Sequence, residues 1–279
     1  MRIYITGIHG QLGRALTTAL KDHIVFGRRH SEVDISDLQA IRSSIADFKP
    51  DVVIHAAAMT NVDRCALEPD LGHRINALGT RNIAVACQDT NSRMLAIGTN
   101  EVFDGNADQP YRERDAPNPI NPYGQSKYAG EVLIRDLLTR FYIVRVAWSY
   151  GYGGNNFVTK IVQRAKEIGQ LRVVTDEISS PTFTKDAAQA IAQLIETDAF
   201  GIYHFINDGE CSRFDFAQQI LEETGLTDVP IEPIKLSDFD RPSTPPHYSS
   251  LRNFNGAQIG ITLRPWREAL ADYIAHEQL

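Results

Sequence analysis

The chain reads as an α/β protein: a doubly wound parallel sheet with a smaller carboxy-terminal region interleaved with it. Strand-length apolar runs alternate with helix-length amphipathic segments through the first half. Glycines 7, 10 and 13 fall where the first apolar run gives way to the first helical one. A helix-and-strand pair then recurs after that alternation has broken, so the chain is expected to rejoin its sheet before leaving it.

In order, the runs are Arg2 to Thr6, Gln11 to Lys21, Ile24 to Gly27, Leu38 to Phe48, Asp51 to Ala56, Pro69 to Asp89 and Arg93 to Gly98, a βαβαβ pattern. Each crossover helix must bury its apolar stripe against the strands, so the sheet is parallel and covered on both faces, a Rossmann arrangement. Pro122 to Thr139 and Phe141 to Val146 continue the pattern, which stops at Gly151-Tyr152-Gly153-Gly154. A helix from Asn156 to Ile168 and a short strand from Leu171 to Val174 follow; Lys185 to Glu196 and Gly201 to Ile206 are the returning pair. The division expected is 1–150 with 183–206 for a dinucleotide, and 151–182 with 207–279 for a substrate. In the tail, Ser212 caps a helix from Phe214 to Glu223, Arg241 to Pro246 is an ordered loop expected to line the cleft, and Pro265 to His276 is the last helix.

With 279 residues, 43% of them hydrophobic, the chain can bury one substantial core or two modest ones. A net charge of −7 disfavours coating nucleic acid or lying on an anionic membrane. Cys65, Cys87 and Cys211 lack the spacing of a metal or redox motif and read as buried thiols, and no metal is expected. No run approaches the length of a membrane span and the start shows no leader, so a cytoplasmic location is expected.

The turn Gly7-Ile8-His9-Gly10-Gln11-Leu12-Gly13 joins a strand to a helix, so amides at the helix start, those of Gln11 and Leu12 included, can face a pyrophosphate with no side chain between. Its competing reading is tight helix–strand packing without a ligand. The second strand ends in Arg28-Arg29 where an NAD site usually places an acid; two guanidiniums suit a 2′-phosphate, so NADPH is expected over NADH, against two solvated arginines. Tyr123 and Lys127 lie one helical turn apart, and a phenol made more acidic by that ammonium could exchange a proton near neutrality, although the spacing alone also fits a helix surface. Thr99 follows an apolar strand at the carboxyl edge, where its hydroxyl could orient a carbonyl or merely cap a turn.

Taken together, Gly7 to Gly13, His55-Ala56-Ala57-Ala58, Thr99-Asn100-Glu101-Val102-Phe103-Asp104-Gly105, Tyr123 to Lys127, and Gly153-Gly154-Asn155-Asn156-Phe157 resemble the extended short-chain dehydrogenase/reductases, most closely the dTDP-4-dehydrorhamnose reductase branch. The resemblance runs on through Ser180-Pro181-Thr182 and Arg241-Pro242. It implies NAD(P)H-dependent reduction of the C4 ketone of dTDP-4-dehydro-L-rhamnose to dTDP-L-rhamnose, with Tyr123 as acid, Lys127 tuning it and holding the ribose, and Thr99 on the carbonyl oxygen. It further implies adenine contacts at Asp34 and Ile35, cofactor contacts at Ala56 and Ala57, and a nicotinamide side at Ala58 and Thr60. Asn100 and Trp148 match sugar-facing positions, Asn156 and Arg241 nucleotide-facing ones, and a homodimer is the family's expectation.

After Thr99 the reductase pattern is commonly Asp-Tyr, whereas this chain has Asn100-Glu101. Glu101 is similar to the Thr-Asp-Glu of sugar-nucleotide 4,6-dehydratases, but a carboxamide at Asn100 cannot act as their acid. Two alternatives stay open: a reductase or epimerase for another nucleotide-linked 4-keto sugar, and a non-catalytic, NADP-binding regulatory subunit like the beta subunit of methionine adenosyltransferase.

Overall fold

A computed structural model describes residues 1–279. Six strands form one parallel sheet: β1 (Arg2–Thr6), β2 (Ile24–Phe26), β3 (Val52–His55), β4 (Arg93–Thr99), β5 (Phe141–Val146) and β6 (Gly201–His204), in the order β6-β5-β4-β3-β1-β2. The chain steps from β1 to β2 on one side and then to β3 on the other, so the order reverses beside β1. Ligands of doubly wound sheets bind at such a reversal, outside the carboxyl ends of the strands. The pairings Thr6 with His55 and Thr99 with Val146 bring the ends of these strands level there.

Alternation along each strand divides the core between two helical layers. Ile3, Ile5, Val52, Ile54, Leu95, Tyr142 and Val144 point to the face covered by helices Gln11–Ala19 and Thr184–Leu194. Tyr4, Val53, Met94, Ala96 and Ile143 point to the other, covered by Leu38–Phe48, Gly79–Thr90 and Pro122–Leu137. The returning strand is β6, and it pairs parallel with β5.

The segment expected as one helix from Pro69 to Asp89 is Pro69–His73, a π-helical turn Arg74–Leu78, and Gly79–Thr90, preceded by a short helix Val62–Leu67. A π turn inserts a residue and so re-aims a side chain, commonly at functional sites. Here it turns Asn76 toward β3's loop: its carboxamide accepts from the Met59 amide at 2.8 Å and donates to the Met59 carbonyl at 3.1 Å and the Ser126 hydroxyl at 3.0 Å. Pattern alone misses this, because the insertion leaves hydrophobic spacing almost intact.

The carboxy-terminal region has its own aromatic core of Tyr150, Phe183, Phe216, Trp266 and Tyr273 under helices Phe157–Ile168, Arg213–Glu223 and Trp266–Glu277. Leu171–Val174 pairs with Ile231–Ile234, a strand hidden in sequence by Pro233 at the edge. All three cysteines are buried and free, and no helix is long and apolar enough to cross a membrane.

Candidate active site

A cleft of about 980 Å³ opens at the carboxyl edge of the sheet. Another concavity, of about 1090 Å³, lies at the opposite edge between Lys49, Asp51, Arg93, Arg140 and Asp198. It sits off the reversal point and gathers none of the residues singled out from sequence, so chemistry belongs to the first.

One wall of the cleft is backbone. Gly7 has φ +71°, and a Cβ there would fall 2.8 Å from the Ala57 nitrogen; a Cβ on Gly13 would overlap the Gly7 carbonyl oxygen. Only glycine lets the turn lie on β3 and the helix on the turn. Gly10 caps helix Gln11–Ala19 with no side-chain acceptor and no acid in the first turn, and the first intrahelical bond runs from Arg14 N to Gly10 O. The amides of Gln11, Leu12 and Gly13 thus precede the hydrogen-bonded ladder at the positive end of the helix dipole, a cradle that fits a pyrophosphate. Arg28, Asp34, Ile35, Ala56, Ala57, Ala58 and Thr60 continue this wall. Arg29 does not: its side chain is exposed outside the cleft, and its amide is tied to Glu32 at 2.7 Å. Glu32 also reaches Arg28 at 3.5 Å, so the cationic rim is partly neutralised.

The floor carries the polar residues. Asn121 caps helix Pro122–Leu137 by accepting from Gly124 N at 2.8 Å, which sets Tyr123 and Lys127 one turn apart over β4. Lys127 is 7% exposed, its ammonium donates to the Ile97 carbonyl at 2.8 Å, and burial lowers its pKa to about 8 while Glu131 opposes. Thr99 accepts from Glu101 N at 3.3 Å and so caps the short turn Asn100–Val102, yet it also lines the cleft; cap and site coincide. His55, bonded to the hydroxyls of Thr6 at 2.8 Å and Thr80 at 3.0 Å, is held neutral by burial and by Lys127, with its pKa lowered to about 3.

The sequence-based expectation for Tyr123 needs correction. Its phenol is not made acidic by the protein: burial raises its pKa, Glu101 pushes the same way, and Thr99, as a hydrogen-bonding neighbour, opposes. The reason is geometric, because the Lys127 ammonium is spent on the Ile97 carbonyl. Desolvation of a phenolate in a closed site outweighs a cation held elsewhere.

The opposite wall is made by side chains from distant segments. Trp148 lines the cleft in a left-handed backbone conformation, φ +40°, which is strained for a bulky residue. The Arg213 guanidinium lies over its ring at 3.6 Å and pairs with Glu177 at 3.1 Å. Nothing local in the sequence marks Arg213, which enters the cleft only because the carboxy-terminal helix folds back. Asn100 lines the cleft, but its amide donates to the Ser249 hydroxyl at 2.7 Å and the Ser179 hydroxyl at 3.2 Å. Asn156 is on the wall too, with its carboxamide committed to the Thr159 amide, the Gly151 carbonyl and the Tyr273 hydroxyl. Arg241 is not brought to the wall: it pairs with Asp63 at 3.0 Å, and its proline-rich loop is ordered behind the cleft rather than lining it.

The whole chain, residues 1–279, matches the family described as the RmlD substrate binding domain. It is 38% identical to the spore coat polysaccharide biosynthesis protein SpsK of Bacillus subtilis, over 98% of this chain and 96% of that one. It is 39% identical to the dTDP-4-dehydrorhamnose reductase of Mycolicibacterium smegmatis, over 98% and 85% respectively. The crystal structure of dTDP-4-dehydrorhamnose reductase from Bacillus anthracis in complex with NADP superposes with a TM-score of 0.95 at 36% identity, covering 99% of each chain. With its fold, cleft and full-length likeness in agreement, the chain belongs to the RmlD substrate binding domain family, among the relatives of the dTDP-4-dehydrorhamnose reductases.

Proposed function

We propose that this protein is an NAD(P)H-dependent oxidoreductase that reduces the C4 ketone of dTDP-4-dehydro-L-rhamnose to dTDP-L-rhamnose. The observation that carries this reading is the convergence of Tyr123, Thr99 and Lys127 in one cleft with the Gly7–Gly13 turn, in a chain whose relatives bear the reductase name over nearly their full length. The glycine cradle fits a dinucleotide pyrophosphate, Asp34 and Ile35 its adenosine end, and Ala56, Ala57, Ala58 and Thr60 its nicotinamide end. Arg28 at the rim makes NADPH the preferred form and NADH the alternative.

Bound NADPH supplies hydride to the ketone carbon. Thr99 donates from its hydroxyl to the carbonyl oxygen, turning from Asn100 Oδ1, its 3.3 Å partner here. Tyr123 protonates the oxygen as negative charge develops. Burial keeps the phenol protonated until the ketone is reduced, and the alkoxide that then develops, a stronger base than a phenolate, draws the proton across. Lys127, whose ammonium keeps two donors beyond the one given to the Ile97 carbonyl, holds the ribose. Trp148 and Asn100, at the edge of the segment 1–150 that with 183–206 holds the dinucleotide, face the sugar, and residues 151–182 and 207–279 complete that side of the cleft. A homodimer in the cytoplasm is the setting expected.

The test is NADPH oxidation by purified protein with dTDP-4-dehydrorhamnose, with the product identified. Stoichiometric dTDP-L-rhamnose supports the reading; cofactor-bound, folded protein that consumes no NADPH overturns it.

A further inference from the structure

We infer that Glu101 is a sugar-binding, specificity-determining residue: its carboxylate, fixed between the Thr99 turn and the cap of the Tyr123 helix, accepts a hydrogen bond from a ring hydroxyl of the sugar presented to Tyr123. This rests on the reductase reading above.

Glu101 is locked at both ends. Its amide donates to the Thr99 hydroxyl at 3.3 Å, and a Cβ on Gly124 would overlap its carbonyl oxygen, so the backbones of the Thr99 turn and the Tyr123 helix are in direct contact at this residue. Its side chain lines the cleft, where Oε2 accepts from Asn121 Nδ2 at 2.6 Å. Asn121 is the residue whose Oδ1 caps that helix. The carboxylate therefore sits one link from both groups that meet the ketone.

It also lacks its own cation. The guanidiniums nearby are already paired, Arg213 with Glu177 and Arg241 with Asp63, and no salt bridge reaches Glu101. Burial accordingly raises its carboxyl to about 7, with Glu177 pushing the same way and Asn121, Arg241 and Arg213 opposing. A carboxylate taken out of water without an ion partner is costly, and a fold that only needed to cap a helix could use a neutral group. A hydroxyl donor from the ligand satisfies the remaining lone pairs, and sugars are dense in such donors. Such a contact would choose among 4-keto sugars by the placement of the hydroxyl beside the reacting carbon, without entering the hydride or proton transfer itself.

The experiment is calorimetric titration of wild-type protein and Glu101→Gln with dTDP and with dTDP-L-rhamnose, which differ only by the sugar. The glutamine keeps an acceptor for Asn121, so the melting temperature should hold. The expected result is dTDP affinity unchanged within about twofold and dTDP-L-rhamnose affinity reduced about tenfold, the size of one lost charge-assisted hydrogen bond. Equal losses for both ligands, or none for either, overturn the inference. Wild-type protein that binds both equally well also overturns it while leaving turnover to judge the reductase reading. Wild-type protein that binds neither ends both.

Discussion

The two walls of the cleft are built by different means. The dinucleotide wall is backbone: a left-handed glycine, helix amides without a side-chain cap, and alanines at the end of β3, all within the first sixty residues. The wall proposed to face the sugar is side chain: Glu101, Trp148 and Arg213 come from three separate segments and are held by pairing with Asn121, Phe216 and Glu177. A backbone wall recognises what every dinucleotide shares, and few substitutions can retune it. A side-chain wall can change its ligand by exchanging one residue at a time, and Asn100-Glu101, directly after Thr99, is such a place.

The comparison breaks most visibly at the floor between the walls. Tyr123→Phe is expected to lower NADPH-dependent reduction by roughly a hundredfold or more, the lower end for a positioned acid, while NADPH fluorescence titration stays unchanged. Retained activity would remove the proposed acid. On the dinucleotide wall, Gly13→Ala forces a methyl into the Gly7 carbonyl, so NADPH affinity should fall more than tenfold and stability by about 1–3 kcal/mol, read by titration and thermal melting.

On the sugar wall, Trp148→Ala should raise the sugar-nucleotide KM about tenfold, the equivalent of about 1.4 kcal/mol, with NADPH binding intact. If both ligands weaken together, the walls are not separable. Lys127 gives a smaller effect with a defined sign. Its ammonium is fully charged below its lowered pKa of about 8 and loses charge above it, so affinity for the anionic dinucleotide should decline a few-fold from pH 7 to pH 9. In Lys127→Met that decline should vanish. Smallest is Arg28→Ala, expected to reduce the NADPH-over-NADH preference only a few-fold, because Glu32 already draws on the guanidinium.

The same contrast explains what could be read from the amino acids. The alternation of strands with covering helices and the glycine turn follow from patterns a few residues long, and β1 to β5 lie on the apolar runs. Tyr123, Lys127 and Thr99 could be placed because each sits at a fixed offset from a strand or cap. Arg213 could not, since it meets Trp148 only through folding of a segment 65 residues away, and Trp148's positive φ has no sequence signature. The raised Tyr123 pKa has a similar origin: the helical spacing places Lys127 near the phenol, whereas the Ile97 carbonyl, supplied by a strand, holds the ammonium. The Arg241 loop is held off the wall by Asp63, an anchor 178 positions earlier in the chain that no local pattern shows.

Hydride delivery to C4 of the sugar is the step on which every proposed residue role depends. A single-turnover reaction with NADPH deuterated at the transferable position, followed by mass spectrometry and proton NMR of the product, tests it most directly. The expected product is dTDP-L-rhamnose carrying one deuterium on C4; deuterium at another carbon, or an unlabelled product, would contradict the account.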